Sequence, residues 1–267
     1  MSIFNMRIVV LDLDGTIVGK SKQISIPVLA KLREMESGRF PIIIATGRSL
    51  IGCRHIFNQF TPAWPIICFD GRLIYDLARR ETLWASPVDP EIVDMIIERY
   101  SSTHHIIKEY PTYLSSLTKE SGLLYAFSFG VSRNHLRNND EYKSGPLRIY
   151  LKSKKKGAQD ERAGSQIIEK KNIDIYQTSN DWLVLSKSKE NKANALQILA
   201  ERYNFNREEV IAFGDGENDI ELFKNAAISI AMENGDEKLK QIATHIAGNV
   251  EEDGVLTFLE HILCGRM

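Results

Sequence analysis

The stretch RIVVLDLDGT, at residues 7–16, decides the fold of this chain. Its first five residues form a compact apolar run, which is typical of a central parallel strand that is buried on both faces. The predicted strand ends at Asp12 and Asp14, and Gly15 permits a tight turn there. Open α/β folds bind their ligands beyond the carboxyl ends of such strands. The stretch therefore predicts a parallel sheet with a functional site at this edge.

Strands and helices continue to alternate up to about residue 82. Residues 41–45 and 66–69 predict two more buried strands, and residues 50–60 predict a helix between them. Another predicted helix begins after Ser25, a good N-cap, and ends at Gly38. Alternation of this kind indicates a parallel sheet with helices packed against it, an α/β fold.

The pattern changes in the middle of the chain. A helix is predicted to begin at Asp89 and Pro90. Aromatic or alternating segments, separated by polar stretches at residues 132–144 and 152–162, then predict antiparallel strands; these segments are residues 123–129, 147–151, 173–177 and 182–186. The strand–helix alternation returns afterwards. We therefore predict a core domain of residues 1–82 and 187–267, with an inserted α+β cap domain of residues 83–186.

Composition excludes several classes of protein. The 267 residues carry a formal net charge of −1, which gives no general attraction to nucleic acid or to a membrane surface. Three cysteines without a CxxC pair argue against a disulfide framework. No apolar run is long enough to span a bilayer, and the N-terminus lacks a signal-peptide pattern. We expect a cytoplasmic protein without nucleic-acid or membrane partners.

A second acidic string, GDGEND at residues 214–219, follows another predicted buried strand. Asp215 and Asp219 lie four residues apart and share one face if a helix begins there. With Asp12 and Asp14, these carboxylates would repel each other unless a cation lay among them. The pattern predicts a metal-dependent site with one aspartate free to act as a nucleophile. The simpler alternatives are helix-capping surface aspartates in the first string and an ordinary turn in the second.

Two further positions could contact a phosphate group. Thr46 follows the second predicted strand, and its hydroxyl could hold a phosphate together with the backbone N–H groups of Gly47 and Arg48. A helix N-cap is the alternative for Thr46. Lys192 opens the first helix of the resumed core and could neutralise Asp12 and a phosphoryl group. Its alternative is a surface lysine like those that precede it.

At these places the chain resembles the haloacid dehalogenase superfamily of phosphohydrolases, and specifically its Cof-type branch. The resemblance rests on the order and spacing of four strings: DLDGT (12–16), ATGR (45–48), NKA (191–193) and FGDGENDI (213–220). The strings IAMEN (230–234) and EDGV (252–255) support it. The resemblance covers the predicted core, and it implies a Rossmann-like sheet with a large cap inserted between the second and third strings.

The resemblance also implies roles for the matched residues. Asp12 would be the nucleophile, with its other oxygen on Mg²⁺, and Asp14 would be the general acid/base, with its backbone carbonyl on the same ion. Asp215 would bind Mg²⁺ directly, and Asp219 would bind it directly or through water. Lys192 would steady both the nucleophile and the phosphoryl oxygens. The substrate contacts expected on this basis are Thr46, Gly47, Arg48, Lys192 and Asn218.

The chain departs from the family pattern in two positions. Asp70 precedes Gly71 where the family commonly has Asn-Gly, which adds a negative charge near the expected phosphate site. Ala193 follows Lys192 where glycine is usual. The first departure affects the charge of the site, whereas a methyl group at a helix start is tolerable.

The predicted activity is Mg²⁺-dependent hydrolysis of small phosphomonoesters, with sugar phosphates preferred, by a monomer or small homo-oligomer. The alternatives are a phosphomutase such as phosphomannomutase, a phosphatase of a phosphorylated cofactor such as pyridoxal phosphate or FMN, and a non-catalytic ligand-binding protein. Several cap aromatic residues could stack on a substrate or pack inside the cap; they are Tyr110, Tyr113, Tyr125, Tyr142, Tyr150 and Trp182.

Overall fold

The structure is a computed structural model that describes residues 7–38, 40–137, 144–155 and 172–266. It divides into two compact units. The first unit comprises Met1–Ser49, Cys53–Trp84 and Asn191–Met267, and the second comprises Leu50–Gly52 and Ala85–Glu190. No helix in the described ranges combines the length and apolar character that crossing a membrane requires.

Strands and helices alternate along most of the first unit. Its strands are β1 (Ile8–Leu11), β2 (Ile42–Ile44), β3 (Ile66–Cys68), β4 (Leu73–Asp76), β5 (Glu81–Ala85, whose last residue belongs to the second unit), β12 (Val210–Gly214), β13 (Ile228–Met232) and β14 (His245–Ala247). Its helices are α1 (Ile26–Ser37), α2 (Leu50–Phe57, which begins in the second unit), α5 (Lys192–Tyr203), α6 (Ile220–Lys224), α7 (Glu237–Ile242) and α8 (Leu256–Leu263).

A parallel five-stranded sheet in the order β14-β13-β12-β1-β2 forms the centre of this unit. All four residues of β1 are buried, as the apolar run predicts. A parallel bridge between Ala45 and Ile67 brings β3 alongside β2, and β3 then pairs antiparallel with β4. The predicted α/β class with a parallel sheet is confirmed. The five parallel strands end at the same edge of the sheet.

Local sequence signals account for α1. The hydroxyl of Ser25 accepts a hydrogen bond from the backbone N–H of Val28, and Pro27 lies in the first turn. The helix ends at Gly38, as predicted. These signals fix the bounds of the element without help from distant residues.

The second unit is an α+β structure. A six-stranded sheet has the order β10-β11-β9-β6-β7-β8. Its strands are β6 (His104–Glu109), β7 (Leu114–Ser116), β8 (Leu136–Arg137), β9 (Arg148–Ser153), β10 (Ile173–Gln177) and β11 (Leu183–Lys187), and its helices are α3 (Pro90–Tyr100) and α4 (Lys119–Phe129). Parts of the two predicted polar stretches, residues 138–143 and 156–162, lie outside the described residues.

The strand predicted at residues 123–129 is wrong, because this segment forms most of α4. Thr118 caps the helix by accepting a hydrogen bond from the N–H of Ser121, at 3.1 Å. Gly130 ends it in the left-handed conformation, with φ +64°. The two caps lie outside the aromatic segment, so the residues of that segment alone do not indicate the helix.

The cap aromatic residues pack inside the second unit. Ring contacts join Tyr125 to Phe129, Tyr150 and Trp182 at centroid distances of 4.5–5.4 Å. All the predicted stacking residues except Tyr142, which lies outside the described residues, are at most 5% exposed. Packing is therefore the interpretation that the structure supports for them.

Candidate active site

The two acidic strings meet because β1 and β12 are neighbouring parallel strands. Leu11 pairs with Phe213, and the N–H of Asp12 donates to the carbonyl of Phe213 at 3.2 Å. The residues that follow both strands therefore emerge at the same level of the sheet. Asp12, Asp215 and Asp219 each offer a carboxylate oxygen, and these three oxygens lie within 4.8 Å of one another.

Gly15 is required by the contact between the two strings. Its φ of +79° lies in the left-handed region that side chains disfavour. A Cβ atom at this position would lie 1.9 Å from Oδ2 of Asp215. Only glycine allows the backbone after β1 to approach the Asp215 carboxylate this closely.

Lys192 lies between two of the aspartates. Its Nζ is 2.6 Å from Oδ1 of Asp12 and 2.6 Å from Oδ1 of Asp219. The residue is completely buried, so the surface-lysine alternative is wrong. It is the first residue of α5, whose N-cap Asn191 accepts a hydrogen bond from the N–H of Asn194. The start of α5 thus places the ammonium group of Lys192 at the end of β1.

The electrostatics of the cluster indicate an excess of negative charge. Burial raises the pKa of Asp12 to about 8, against the opposing effect of Lys192 and with the support of Asp219. Burial and the charge of Asp219 raise the pKa of Asp215 to about 6. Burial lowers the pKa of Lys192, but the charges of Asp12 and Asp219 outweigh it and raise that pKa overall. One lysine does not balance three carboxylates, so the cluster favours an additional cation.

Both oxygens of Asp219 already accept hydrogen bonds. Oδ1 accepts from Lys192, and Oδ2 accepts from the backbone N–H groups of Asp215 and Gly216, each at 3.1 Å. The side chain is fully buried. Asp219 therefore holds the loop after β12 in place, and it is less available to a metal ion than Asp215.

Thr46 lies where β2 ends, and its backbone N–H donates to the carbonyl of Ile67 at 2.9 Å. Its hydroxyl accepts a hydrogen bond from the N–H of Arg48 at 3.2 Å. Helix α2 begins at Leu50, so the N-cap interpretation of Thr46 is wrong. A Cβ at Gly47 would lie 2.7 Å from Oδ1 of Asp70. This loop packs closely against the segment after β3.

Arg48 forms an ion pair with Asp14. Its Nε lies 2.6 Å from Oδ2 of Asp14, and its Nη2 contacts the other carboxylate oxygen. His55 lies next to this pair, with its Nε2 3.4 Å from Nη1 of Arg48 and 3.1 Å from the carbonyl of Lys22. The residue expected to bind substrate therefore contacts the expected general acid/base.

Asp70 and Asn218 contact each other. The amide of Asn218 donates to Oδ1 of Asp70 at 2.9 Å, and the N–H of Asp70 donates to the carbonyl of Thr46 at 3.1 Å. Asp70 has a φ of +52°, a conformation that Asp and Asn tolerate better than most residues. Asp70 thus places a carboxylate next to Gly47.

Sequence reasoning gave no role to Asn234, which joins the site from the end of β13. Its Nδ2 donates to the carbonyl of Gly15 at 2.8 Å, and its Oδ1 accepts from the N–H of Val250 at 2.8 Å. The available signal is its place as the last residue of the string IAMEN (230–234).

Comparison with known proteins identifies the family to which the chain belongs. Residues 9–259 match the haloacid dehalogenase-like hydrolases. The 5-amino-6-(5-phospho-D-ribitylamino)uracil phosphatase YitU of Bacillus subtilis is 29% identical over 95% of this chain and 96% of its own. The pyridoxal phosphate phosphatase YbhA of Escherichia coli is 24% identical over 95% of this chain and 97% of its own.

A solved structure shares the fold of this chain. The crystal structure of TM0651 from Thermotoga maritima superposes with a TM-score of 0.81 at 25% identity, over 96% of this chain and 97% of that one. The match of residues 9–259 alone covers most of the sequence. The chain therefore belongs to the haloacid dehalogenase-like hydrolases and is a phosphatase of that family.

Proposed function

We propose that this protein hydrolyses small phosphomonoesters with Mg²⁺ through an aspartyl-phosphate on Asp12. The observation that carries the proposal is the position of Asp12, which touches the buried ammonium of Lys192 and shares a carboxylate cluster with Asp215 and Asp219. A nucleophilic carboxylate needs nearby positive charge to approach an anionic phosphoryl group.

The residues at this edge suit Mg²⁺, which prefers oxygen ligands and retains several waters. Asp12 and Asp215 would supply carboxylate oxygens, Asp14 would add its backbone carbonyl, and Asp219 would hold the loop and act through water. When bound, the ion would offset negative charge on the nucleophile and on the phosphoryl oxygens.

The chain's own groups account for the two chemical steps. Asp12 attacks phosphorus, the bond to the leaving oxygen breaks, and Asp14 donates a proton to that oxygen. Asp14 then takes a proton from water as the water attacks phosphorus, which releases Asp12 and inorganic phosphate. Lys192 holds the charge that spreads over the phosphoryl oxygens.

The contact between Arg48 and Asp14 bears on the order of these steps. The guanidinium of Arg48 contacts both carboxylate oxygens of Asp14. Donation to the leaving oxygen requires the ion pair to open, which frees Arg48 to contact the substrate's phosphoryl group beside Thr46 and Gly47. Asn218 would support the same region through Asp70.

We favour small sugar phosphates as substrates, with the second unit selecting among them as a cap domain. The five described cap aromatic residues that could have stacked on a ring-bearing substrate are buried, so they give no support to such a substrate. A phosphorylated cofactor or cofactor precursor is the second candidate, because YitU and YbhA are named for substrates of that kind.

The test is release of inorganic phosphate from p-nitrophenyl phosphate and from a panel of sugar, nucleotide and cofactor monophosphates, with MgCl₂ or with EDTA. We expect Mg²⁺-dependent release by the wild-type protein and none by Asp12→Asn, because the amide is not a nucleophile. Asp181→Asn, an exposed position in the second unit, should keep full activity.

The outcomes separate the alternatives. Appreciable activity in Asp12→Asn would refute the role of Asp12. Transfer of the phosphoryl group within a sugar, without release of phosphate, would identify a mutase. No activity of the wild-type protein with any metal would favour a non-catalytic binding protein.

A further inference from the structure

The segment after β13 touches both acid-bearing loops of the candidate site. The side-chain amide of Asn234 donates to the carbonyl of Gly15, at 2.8 Å. Two residues later, the backbone N–H of Asp236 donates to the carbonyl of Asp215, at 2.7 Å. One short segment therefore holds the loop after β1 and the loop after β12 at the same time.

These two anchor points are in contact with each other. Gly15 approaches Asp215 so closely that a Cβ on Gly15 would lie 1.9 Å from the Asp215 carboxylate. The distance between the loops is thus set at Gly15 and Asp215, the positions that the segment after β13 holds. Of the two tethers, that of Asp236 uses the backbone, whereas that of Asn234 uses a side chain and can be removed by substitution.

Asn234 is itself fixed at two points. Its Oδ1 accepts a hydrogen bond from the N–H of Val250, so both ends of the amide are used. The opposite orientation of the amide would set oxygen against the Gly15 carbonyl and NH₂ against the Val250 N–H, which excludes it. Asn234 therefore links the loop after β1 to the segment after β14 in one defined geometry.

We propose that Asn234 is a positioning residue for the metal site. It contacts no reacting atom. By holding the Gly15 carbonyl, it keeps the backbone of Asp14 and Gly15 at the distance from Asp215 that a shared cation requires. Supporting groups of this kind affect metal affinity because they orient the ligands. The proposal rests on the proposed function, since it takes Asp12, Asp14 and Asp215 as the metal ligands.

The experiment is calorimetric titration of MgCl₂ into the substrate-free protein, which needs no turnover. We expect Asn234→Ala to weaken Mg²⁺ binding roughly tenfold, with a melting temperature in EDTA close to that of the wild type. Asn234→Ser, whose side chain is too short to bridge Gly15 and Val250, should behave in the same way and replaces the alanine variant if that variant does not fold.

Glu251→Ala is the matched control. Glu251 lies on the same segment as Val250 and accepts a hydrogen bond from the backbone N–H of Lys20 at 2.8 Å, farther along the first loop than Gly15. Its loss should leave Mg²⁺ affinity within about twofold, because this contact holds neither Gly15 nor Asp215.

Each outcome has a definite consequence. Unchanged Mg²⁺ affinity in a folded Asn234 variant would overturn the proposal, and so would an equal loss in Glu251→Ala. A wild-type protein that binds Mg²⁺ but hydrolyses no phosphomonoester would contradict the proposed function and leave this proposal supported by the binding data. A wild-type protein that binds no Mg²⁺ would overturn both.

Discussion

Lys192 carries the positive charge on which the candidate site depends. Its ammonium group is fully buried and contacts Asp12 and Asp219, which are themselves at most 5% exposed. Burying charges is costly, and the cost is offset only while each charge has its partner. The same contacts that suit Lys192 for phosphoryl transfer thus make it important for folding.

Lys192→Met should therefore destabilise the protein as well as inactivate it. The substitution leaves two buried carboxylates without their cation, and the loss of a partner from a buried ion pair costs about 3–5 kcal/mol. Urea unfolding at neutral pH in EDTA measures this loss. Lys224→Met is the control, because the side chains of Lys224 and Glu221 form an ion pair that is about half exposed. This substitution should change the free energy of unfolding by less than about 1 kcal/mol. Equal effects of the two substitutions would contradict our interpretation of the cluster.

Asp70 shows how one residue can change the charge of a site without changing its backbone. Its left-handed conformation is also open to Asn, the residue common in the family at this position. Its carboxylate accepts a hydrogen bond from Asn218 and lies against Gly47. The added charge is therefore held within the loop that we expect to bind phosphate.

At the scale of elements, the site is built from strand ends and one helix start. β1, β2, β12 and β13 end at a single edge and present Asp12, Thr46, Asp215 and Asn234 there. The N-terminus of α5 adds Lys192 as its first residue. The position of the ammonium group consequently depends on where this helix begins.

Asn191→Ala tests that dependence. Loss of the N-cap hydrogen bond to the N–H of Asn194 should cost about 1 kcal/mol of stability. Because the first turn would loosen, kcat should fall by roughly tenfold as Lys192 moves from Asp12. Thermal unfolding and phosphate release measure the two effects.

Ser25→Ala is the matched control for the N-cap. Ser25 caps α1, whose first turn carries no residue of the candidate site. We expect a similar loss of stability and an unchanged kcat. If both variants lowered kcat equally, the effect would come from general destabilisation and not from the position of Lys192.

At the scale of the whole molecule, a bound cation should stabilise the folded protein. Mg²⁺ at a hundredfold excess over its Kd adds about 2.7 kcal/mol to the folding free energy. For a chain of this size, the melting temperature should then rise by roughly 5–10 °C. A thermal shift measured in MgCl₂ and in NaCl of equal ionic strength separates specific binding from screening.

Asp215→Asn provides the decisive comparison in that measurement. The variant should lose most of the shift, because an amide is a weaker ligand for Mg²⁺ than a carboxylate. Asp181→Asn should keep it. An equal shift in Asp215→Asn would show that the ion binds elsewhere on the molecule.

Much of the fold follows from local sequence. The apolar run of β1, the cap at Ser25 and the stop at Gly38 act within a few residues, so the sequence predicts β1, β2 and α1 with small errors at their ends. It does not predict β5, α7 or β14. The second unit was harder. The pattern of residues 123–129 is compatible with a strand or a helix. The caps at Thr118 and Gly130 stabilise the helix.

The sequence by itself determined that Asp12 and Asp215 follow buried parallel strands, because strand patterns and their polar ends are local features. Only the tertiary structure decided that Lys192 is buried between Asp12 and Asp219, that Arg48 pairs with Asp14, and that Asn234 holds Gly15. These contacts join residues far apart in the chain. They depend on strand register and on the packing of helices against the sheet, which no local pattern encodes.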